Sequence, residues 1–298
     1  MGRVLMLSNS RAARRKGESA VLLLTAILSL GLTVASAEQI KRKFSTGPNP
    51  SLLLHNHNGS VSVKSWEQNE IEIQGNRSSD AMEVLITGGE QKVTVQTHPT
   101  RAHLSPEESR VTFEIRVPRQ ATIRVDAERG DVAVEKVQGD VTIEGVSTAV
   151  ALANLRGHIA VRTVDGPIRI RSSEGHIEAH SFSGDVEFFQ VNGAELVAST
   201  NSGGIRYEGD FGLGGTYVLN NYSSPIRILT SEQASFDLTA RAVQGMIENS
   251  LSFRPIPRGN AFRGLPPNKF LQGRFNSGKS TVQVTSYSGT IQLQGPRP

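Results

Sequence analysis

Between residues 130 and 201, glycine and apolar positions recur with a period of nine. The successive blocks read GDVAVEKVQ, GDVTIEGVS, TAVALANLR, GHIAVRTVD, GPIRIRSSE, GHIEAHSFS, GDVEFFQVN and GAELVASTN. Glycine opens every block but the third, where Thr148 stands in its place. Positions three and five are usually apolar, as in Val141 and Ile143, Ile159 and Val161, and Ile168 and Ile170. A spacing of two puts both on one face of a strand, and β-branched residues suit that pleated surface. Position eight is often apolar too: Val137, Val146, Leu155, Val164, Phe182 and Val191. Position one needs a tight turn, which glycine supplies by accepting positive φ. A short strand and a turn cannot bury an apolar face alone, whereas stacked coils join such faces into one core. The pattern predicts an all-β chain with a parallel β-solenoid over residues 129–250. Two blocks per coil would give 18 residues and three would give 27, and the pattern leaves both open.

The flanks keep strand character without the period. Residues 38–128 alternate polar and apolar at 51–54, 60–64, 70–74, 82–87, 92–97, 110–117 and 122–126, with turn signals such as Asn58-Gly59 and Gly88-Gly89 between them. This region reads as an N-terminal β cap that seals the first coil, since an open solenoid end exposes strand edges and core. Residues 251–280 are rich in Pro, Gly and Arg and read as an irregular insertion. Residues 281–298, with strands at 281–285 and 290–294 around Ser288-Gly289, read as a closing strand pair at the far end. No sustained 3.6-residue apolar period occurs in residues 38–298, so helix should be scarce.

Composition narrows the setting. The chain of 298 residues has no cysteine, which excludes disulfides, thiol nucleophiles and cysteine-ligated metal sites. Hydrophobic residues make up 37%, and 29 glycines bring the apolar share back near the globular norm. Residues 1–37 read as a signal peptide: Arg3, Arg11, Arg14, Arg15 and Lys16 precede an apolar run at 20–34, followed by Ala35-Ser36-Ala37. The run is shorter than the roughly 20 residues that span a bilayer, so cleavage after Ala37 and export to periplasm, envelope or medium are expected, with membrane attachment only through an uncleaved signal. The formal charge of +4 belongs to this segment. Within the remainder, residues 249–298 carry seven Lys or Arg and no acid, against twenty basic and twenty-seven acidic residues in 38–248. Arg254, Arg258, Arg263, Lys269, Arg274 and Lys279 are therefore candidates to meet an anionic partner, either the acidic solenoid or an envelope polymer; a loop neutralised by its own protein is the plainer account.

The whole order resembles the bacterial putative-adhesin domain family of exported β-solenoid proteins of unknown function. The residues that carry the resemblance are LLLHNHNGSVSV at 52–63 with Trp66 after it, the strand end RVPR at 116–119, the Gly-Asp-Val blocks from Gly130, and SGTIQL at 288–293. The resemblance implies a β-solenoid at the cell envelope and brings no catalytic residues.

Candidate chemistry is sparse. Residues 273–280, GRFNSGKS, satisfy the Walker A pattern, but a polar stretch leads in and the strand TVQVT leaves where a helix is required, so no nucleotide is expected. His55 and His57 share a strand face and could begin a metal site, although a solvated pair beside a turn is the simpler reading. At block position two, an 18-residue coil would stack Asp140, His158 and His176, and a 27-residue coil Asp131, His158 and Asp185. Such polar residues ordinarily serve turn hydrogen bonds, and no cofactor is expected. The blocks lack the GGxGxDxUx pattern of calcium-binding rolls. Glu135, Glu144, Glu178, Glu187 and Glu195 are candidates for carboxylate-pair cleavage of a polysaccharide, with nothing to separate acid from base. Aromatic residues, 5% of the chain, form no basic stacking platform for nucleic acid. The expectation is a non-enzymatic envelope module that offers a rigid face to a polysaccharide or another protein, with a polysaccharide-active enzyme as the alternative.

Overall fold

The computed structural model describes residues 38–256 and 265–295, and every regular element among them is a strand. In chain order these are β1 (Glu38–Ser45), β2 (Ser51–Trp66), β3 (Glu70–Arg77), β4 (Met82–Gly88), β5 (Lys92–Pro99), β6 (Val111–Pro118), β7 (Thr122–Glu135), β8 (Val141–Ala153), β9 (Arg156–Asp165), β10 (Ile168–Arg171) and β11 (Glu174–Ser181). They continue with β12 (Val186–Phe189), β13 (Glu195–Thr200), β14 (Ile205–Glu208), β15 (Thr216–Asn221), β16 (Ile226–Leu229), β17 (Phe236–Ala242), β18 (Ile247–Asn249), β19 (Arg254–Pro255), β20 (Phe270–Phe275), β21 (Thr281–Ser286) and β22 (Ile291–Gln294).

The register settles the coil. Val141 pairs in parallel with Ile159 and Ile159 with Ile177, while Val150 pairs with Ile168 and Ile168 with Val186. Each step is eighteen residues, so two nine-residue blocks make one turn, and alternate blocks feed the two faces of one continuous sheet that wraps a shared core. Past β12 the turn widens: Val186 pairs with Ile205 at nineteen residues, and Ile205 with Ile226 at twenty-one. The added residues bring Phe211 inward, where its ring stacks on Tyr207 at 4.6 Å and meets Tyr217 and Phe236 edge-on. A three-residue surplus over the 18-residue turn thus becomes an aromatic plug instead of a surface bulge.

Each coil has two corners, and close backbone approach dictates glycine at both. Gly157 adopts φ +134°, and a Cβ there would fall 2.8 Å from the Gly139 carbonyl of the coil before. At the opposite corner Gly166, also at φ +134°, presses on the Thr148 carbonyl. The inward residues at positions three and five are fully buried, Ile159, Val161, Ile168 and Ile170 among them. At about 1.5–3 kcal/mol for each such side chain, this continuous column dominates the stability of the stack. Position eight divides by corner: Val137, Leu155 and Val191 are buried, whereas Val146, Val164 and Phe182 are exposed.

Both ends differ from the sequence expectation in detail. β2 pairs along its length with β7, Ser51 opposite Thr122 and Lys64 opposite Glu135, so coil formation starts at residue 51 within the region read as a cap. β5 and β6 add parallel strands on the other side of β2, and β4, β3 and β1 follow antiparallel outside them. At the other end, the last strand pair does not close the stack. β21 lies between β15 and β17, and β22 between β16 and β18, parallel to all four. On one face the outermost strands there are β20, antiparallel to β17, and β19, antiparallel to β20. The Pro/Gly/Arg-rich segment read as irregular thus supplies two strands, because β17 would otherwise present an unpaired edge.

Candidate functional site

The corner after the β9 and β11 strands carries the feature that folding does not require. Thr163, Ser181, Thr200, Asn221 and Ser286 point inward on successive coils and are buried. Their side chains tie the turn: Thr163 donates to the Ser181 hydroxyl at 3.1 Å, the Gly184 amide donates to Ser181 at 2.8 Å, and the Asn221 amide donates to the Gly203 carbonyl at 2.6 Å. Strand alternation therefore turns the next residue of each coil outward. Those residues are Val146, Val164, Phe182, Asn201, Tyr222, Tyr287 and Val243, and backbone hydrogen bonds link their rungs, including Asn201 N–H to Phe182 O, Ser223 N–H to Asn201 O and Ser288 N–H to Tyr222 O. Six of the seven are apolar or aromatic and lie 36–61% exposed. At about 4.8 Å per rung the ladder runs about 29 Å. Scattered exposed apolar residues are ordinary, whereas an aligned column is a candidate interaction surface.

Two of the residues singled out from sequence lie just before the ladder. His57 opposes Glu128, which precedes Val146 on the same column, and His57 Nδ1 lies 2.7 Å from the Glu128 carboxylate. His55 Nε2 reaches the other oxygen of Glu128 at 4.0 Å. The 18-residue coil does place Asp140, His158 and His176 on adjacent rungs, with His176 opposite His158. There the His158 amide donates to the Asp140 carboxylate at 3.3 Å, and Asp185 accepts likewise from Gly204 at 2.7 Å. These carboxylates bind successive coils together at the corners. Among the described residues no three His, Asp or Glu side chains converge as a metal site demands. Asp131 belongs to the opposite corner from His158, so the 27-residue column does not form.

The acidic candidates are engaged with cations on neighbouring rungs. Glu135 meets Lys64 at 3.3 Å, Glu144 meets Arg124 at 3.1 Å, Glu178 meets Arg162 at 3.7 Å, and Glu187 meets Arg169 at 2.6 Å. Glu195 is exposed opposite His176. A groove of about 960 Å³ at the other corner contains Glu174, Phe189, Arg206, Glu208 and Asp210. Most of its charge is satisfied internally: Arg206 pairs with Glu208 at 2.6 Å and lies over Phe189, and Asp210 accepts from Thr230 and Ser231.

The basic segment turns largely onto its own protein. Arg274 grips Asp237 with two hydrogen bonds of 2.7 and 2.8 Å, which hold the Asp237 carboxyl below its ordinary range and raise the guanidinium. Lys269 donates to the carbonyls of Gln244, at 2.6 Å, and Gly245. The Lys279 amide donates to Ser235, and Arg254 is exposed on β19 opposite Arg274. Arg258 and Arg263 lie outside the described residues. The Walker-like stretch 273–280 runs from β20 into β21 around the end of β17: Asn276 donates to the carbonyls of Glu232 and Ala234, and no helix follows. What sequence reasoning missed is the ladder, because a nine-residue template merges two inequivalent corners and hides the outward one.

A mostly parallel sheet wound in coils of 18 to 21 residues around one core defines a β-solenoid, the fold class expected of the adhesin-domain resemblance. The chain belongs to the Toastrack DUF4097 family, whose model matches residues 49–294. Among solved structures it is similar to a putative adhesin from Parabacteroides distasonis, with 9% identity over 87% of this chain and 98% of that one and a TM-score of 0.43. It is likewise similar to a putative adhesin from Bacteroides fragilis, with 10% identity over 88% and 99% of the two chains and a TM-score of 0.40. No curated protein matches the chain in sequence.

Proposed function

We propose that this chain is an exported, non-enzymatic, adhesin-like binding module of the bacterial cell envelope that presents a rigid face to an extended polymer or another envelope protein. The word adhesin is used in the sense of the descriptions carried by the solved structures above. The observation behind the reading is the register itself: parallel coils, eighteen residues each at first and up to twenty-one further on, keep one outward position aligned as a ladder from Val146 to Val243. Such a surface suits a ligand that is itself long and repetitive. The non-enzymatic part draws on the pairing of Glu135, Glu144, Glu178 and Glu187 with cations, since an acid catalyst in glycoside cleavage needs a carboxyl free to hold its proton.

Retention of the purified chain on glycans and on isolated envelope fractions tests the binding reading, and no retention on either refutes it. Mass spectrometry of the protein recovered outside the cytoplasm tests export: the expected N-terminus is Glu38, and recovery solely with an intact Met1 would make residues 1–37 an anchor.

A further inference from the structure

The ladder is interrupted at one rung. Between Phe182 and Tyr222 stands Asn201, a short polar side chain, where its neighbours carry rings. Beyond it Tyr222 and Tyr287 stack face to face at 4.7 Å with an interplanar angle of 6°. Their planes therefore repeat along the coil axis at the rung spacing. Two rungs separate Phe182 from Tyr222, about 9.6 Å. A third ring entering at the Asn201 rung would sit about 4.8 Å from each neighbour, within the 4.5–7 Å range of stacked rings.

The lining says which ring. A depression of about 400 Å³ runs beside the Asn201 rung and along the two tyrosines, lined also by Ser199, Asn220, Thr285 and Val243, with no charged side chain in the lining. Amides and hydroxyls around an aromatic plate match a molecule that is apolar on its ring face and hydroxylated at its rim, which is a sugar. A charged ligand would find no counter-charge in this lining. The strip is also too narrow for a protein: one side chain wide and about 29 Å long, it offers on the order of 300 Å², below the roughly 800 Å² per partner of a stable interface. A linear polymer needs no more width than that.

We propose that the gap at Asn201, between Phe182 and the Tyr222–Tyr287 stack, is a slot that takes one uncharged sugar ring of a glycan chain lying along the ladder. The proposal rests on the binding-module reading above and narrows it to one site and one ligand class.

Affinity electrophoresis of the full chain tests it, with dextran, hydroxyethyl cellulose or yeast mannan in the gel as neutral probes and polygalacturonate as the anionic one. At least one neutral polysaccharide should retard the chain. Tyr222→Ala should weaken that retardation about tenfold, through loss of one stacking face. Tyr222→Phe should retain it, because the ring and not the hydroxyl does the stacking. Asn201→Tyr fills the slot at an exposed position and should abolish retardation while leaving the melting temperature unchanged. Retardation of Asn201→Tyr at wild-type strength overturns the slot, as does response to polygalacturonate alone or no response to any neutral probe. A chain that runs as a dimer and becomes monomeric on Tyr222→Ala also overturns it, in favour of a copy-to-copy contact. If envelope fractions retain wild type and Asn201→Tyr equally, the slot fails and the module reading stands; if they and the polysaccharides retain neither, the module reading fails as well.

Discussion

Replacing Gly157 with alanine tests the corner argument at its most exacting point. The residue sits at φ +134°, in a region where an L side chain is strained by about 1–3 kcal/mol. The new Cβ would also lie 2.8 Å from the Gly139 carbonyl oxygen and 3.2 Å from its carbon, closer than real Cβ contacts allow. Gly139 cannot retreat freely, because its coil is hydrogen-bonded to the coil before through Ile123 N–H to Asp140 O and to the coil after through Arg156 N–H to Val137 O. The two penalties together come to about 3 kcal/mol, which for a chain of this size lowers the melting temperature by about 6–12 °C. Thermal unfolding followed by circular dichroism measures it. Gly47→Ala is the matched control: nothing lies within 4 Å of the added carbon, and its melting point should stay with wild type. If Gly157→Ala also melts within about 2 °C of wild type, the close approach of successive corners is not what demands glycine there.

Three further outcomes follow from the packing and the ion pairs. Tyr217→Phe should cost about 1–3 kcal/mol by equilibrium urea unfolding, since the hydroxyl accepts from the Gly212 amide at 2.7 Å and donates to the Gly193 carbonyl at 3.0 Å in a buried site. The Asp237 carboxyl, held low by Arg274, contributes stability that is present above its unfolded pKa and lost as pH falls through the folded one; in Asp237→Asn the loss below about pH 4 should shrink, by under about 1 kcal/mol because the pair is exposed to solvent. A chain ending at Ser280 should lose cooperative unfolding altogether, because β21 and β22 are interior rungs on both faces, whereas fraying of the last coil alone would show that they sit at the end.

The coil was legible where the chain repeats itself. Gly157, Gly166 and Gly175 announce the corners, and Ile159, Val161, Ile168 and Ile170 announce the inward face, because close approach and burial each restrict what a position can hold. Coil size was not, since a nine-residue period is equally a half or a third of a turn; only the pairing of Ile168 with Val186 decides it. The ladder was hidden for a related reason. Val137 and Val146 occupy the same block position, yet one is buried and the other half exposed, and apolarity alone does not distinguish them. The place of β21 was beyond reach as well: TVQVTS has the composition of any rung here, and layer order is a long-range choice made by edges competing for partners. The basic tail was half legible, its charge evident and its contact with Asp237 supplied by the structure.

The interior position of the last coil also orders events in time. A chain made from its N-terminus completes the coils of β7 through β16 from local segments, each pairing with one a turn away, and such contacts form readily. β15 and β17, by contrast, are one turn apart in the chain and yet must not pair, because the strand destined to lie between them begins at Thr281. Until that segment arrives, two facing edges stay open to any strand that matches them. Residues 281–294 therefore act as a keystone, and a copy that lacks them carries its defect inside the stack, just short of its end, where it invites pairing with another such copy.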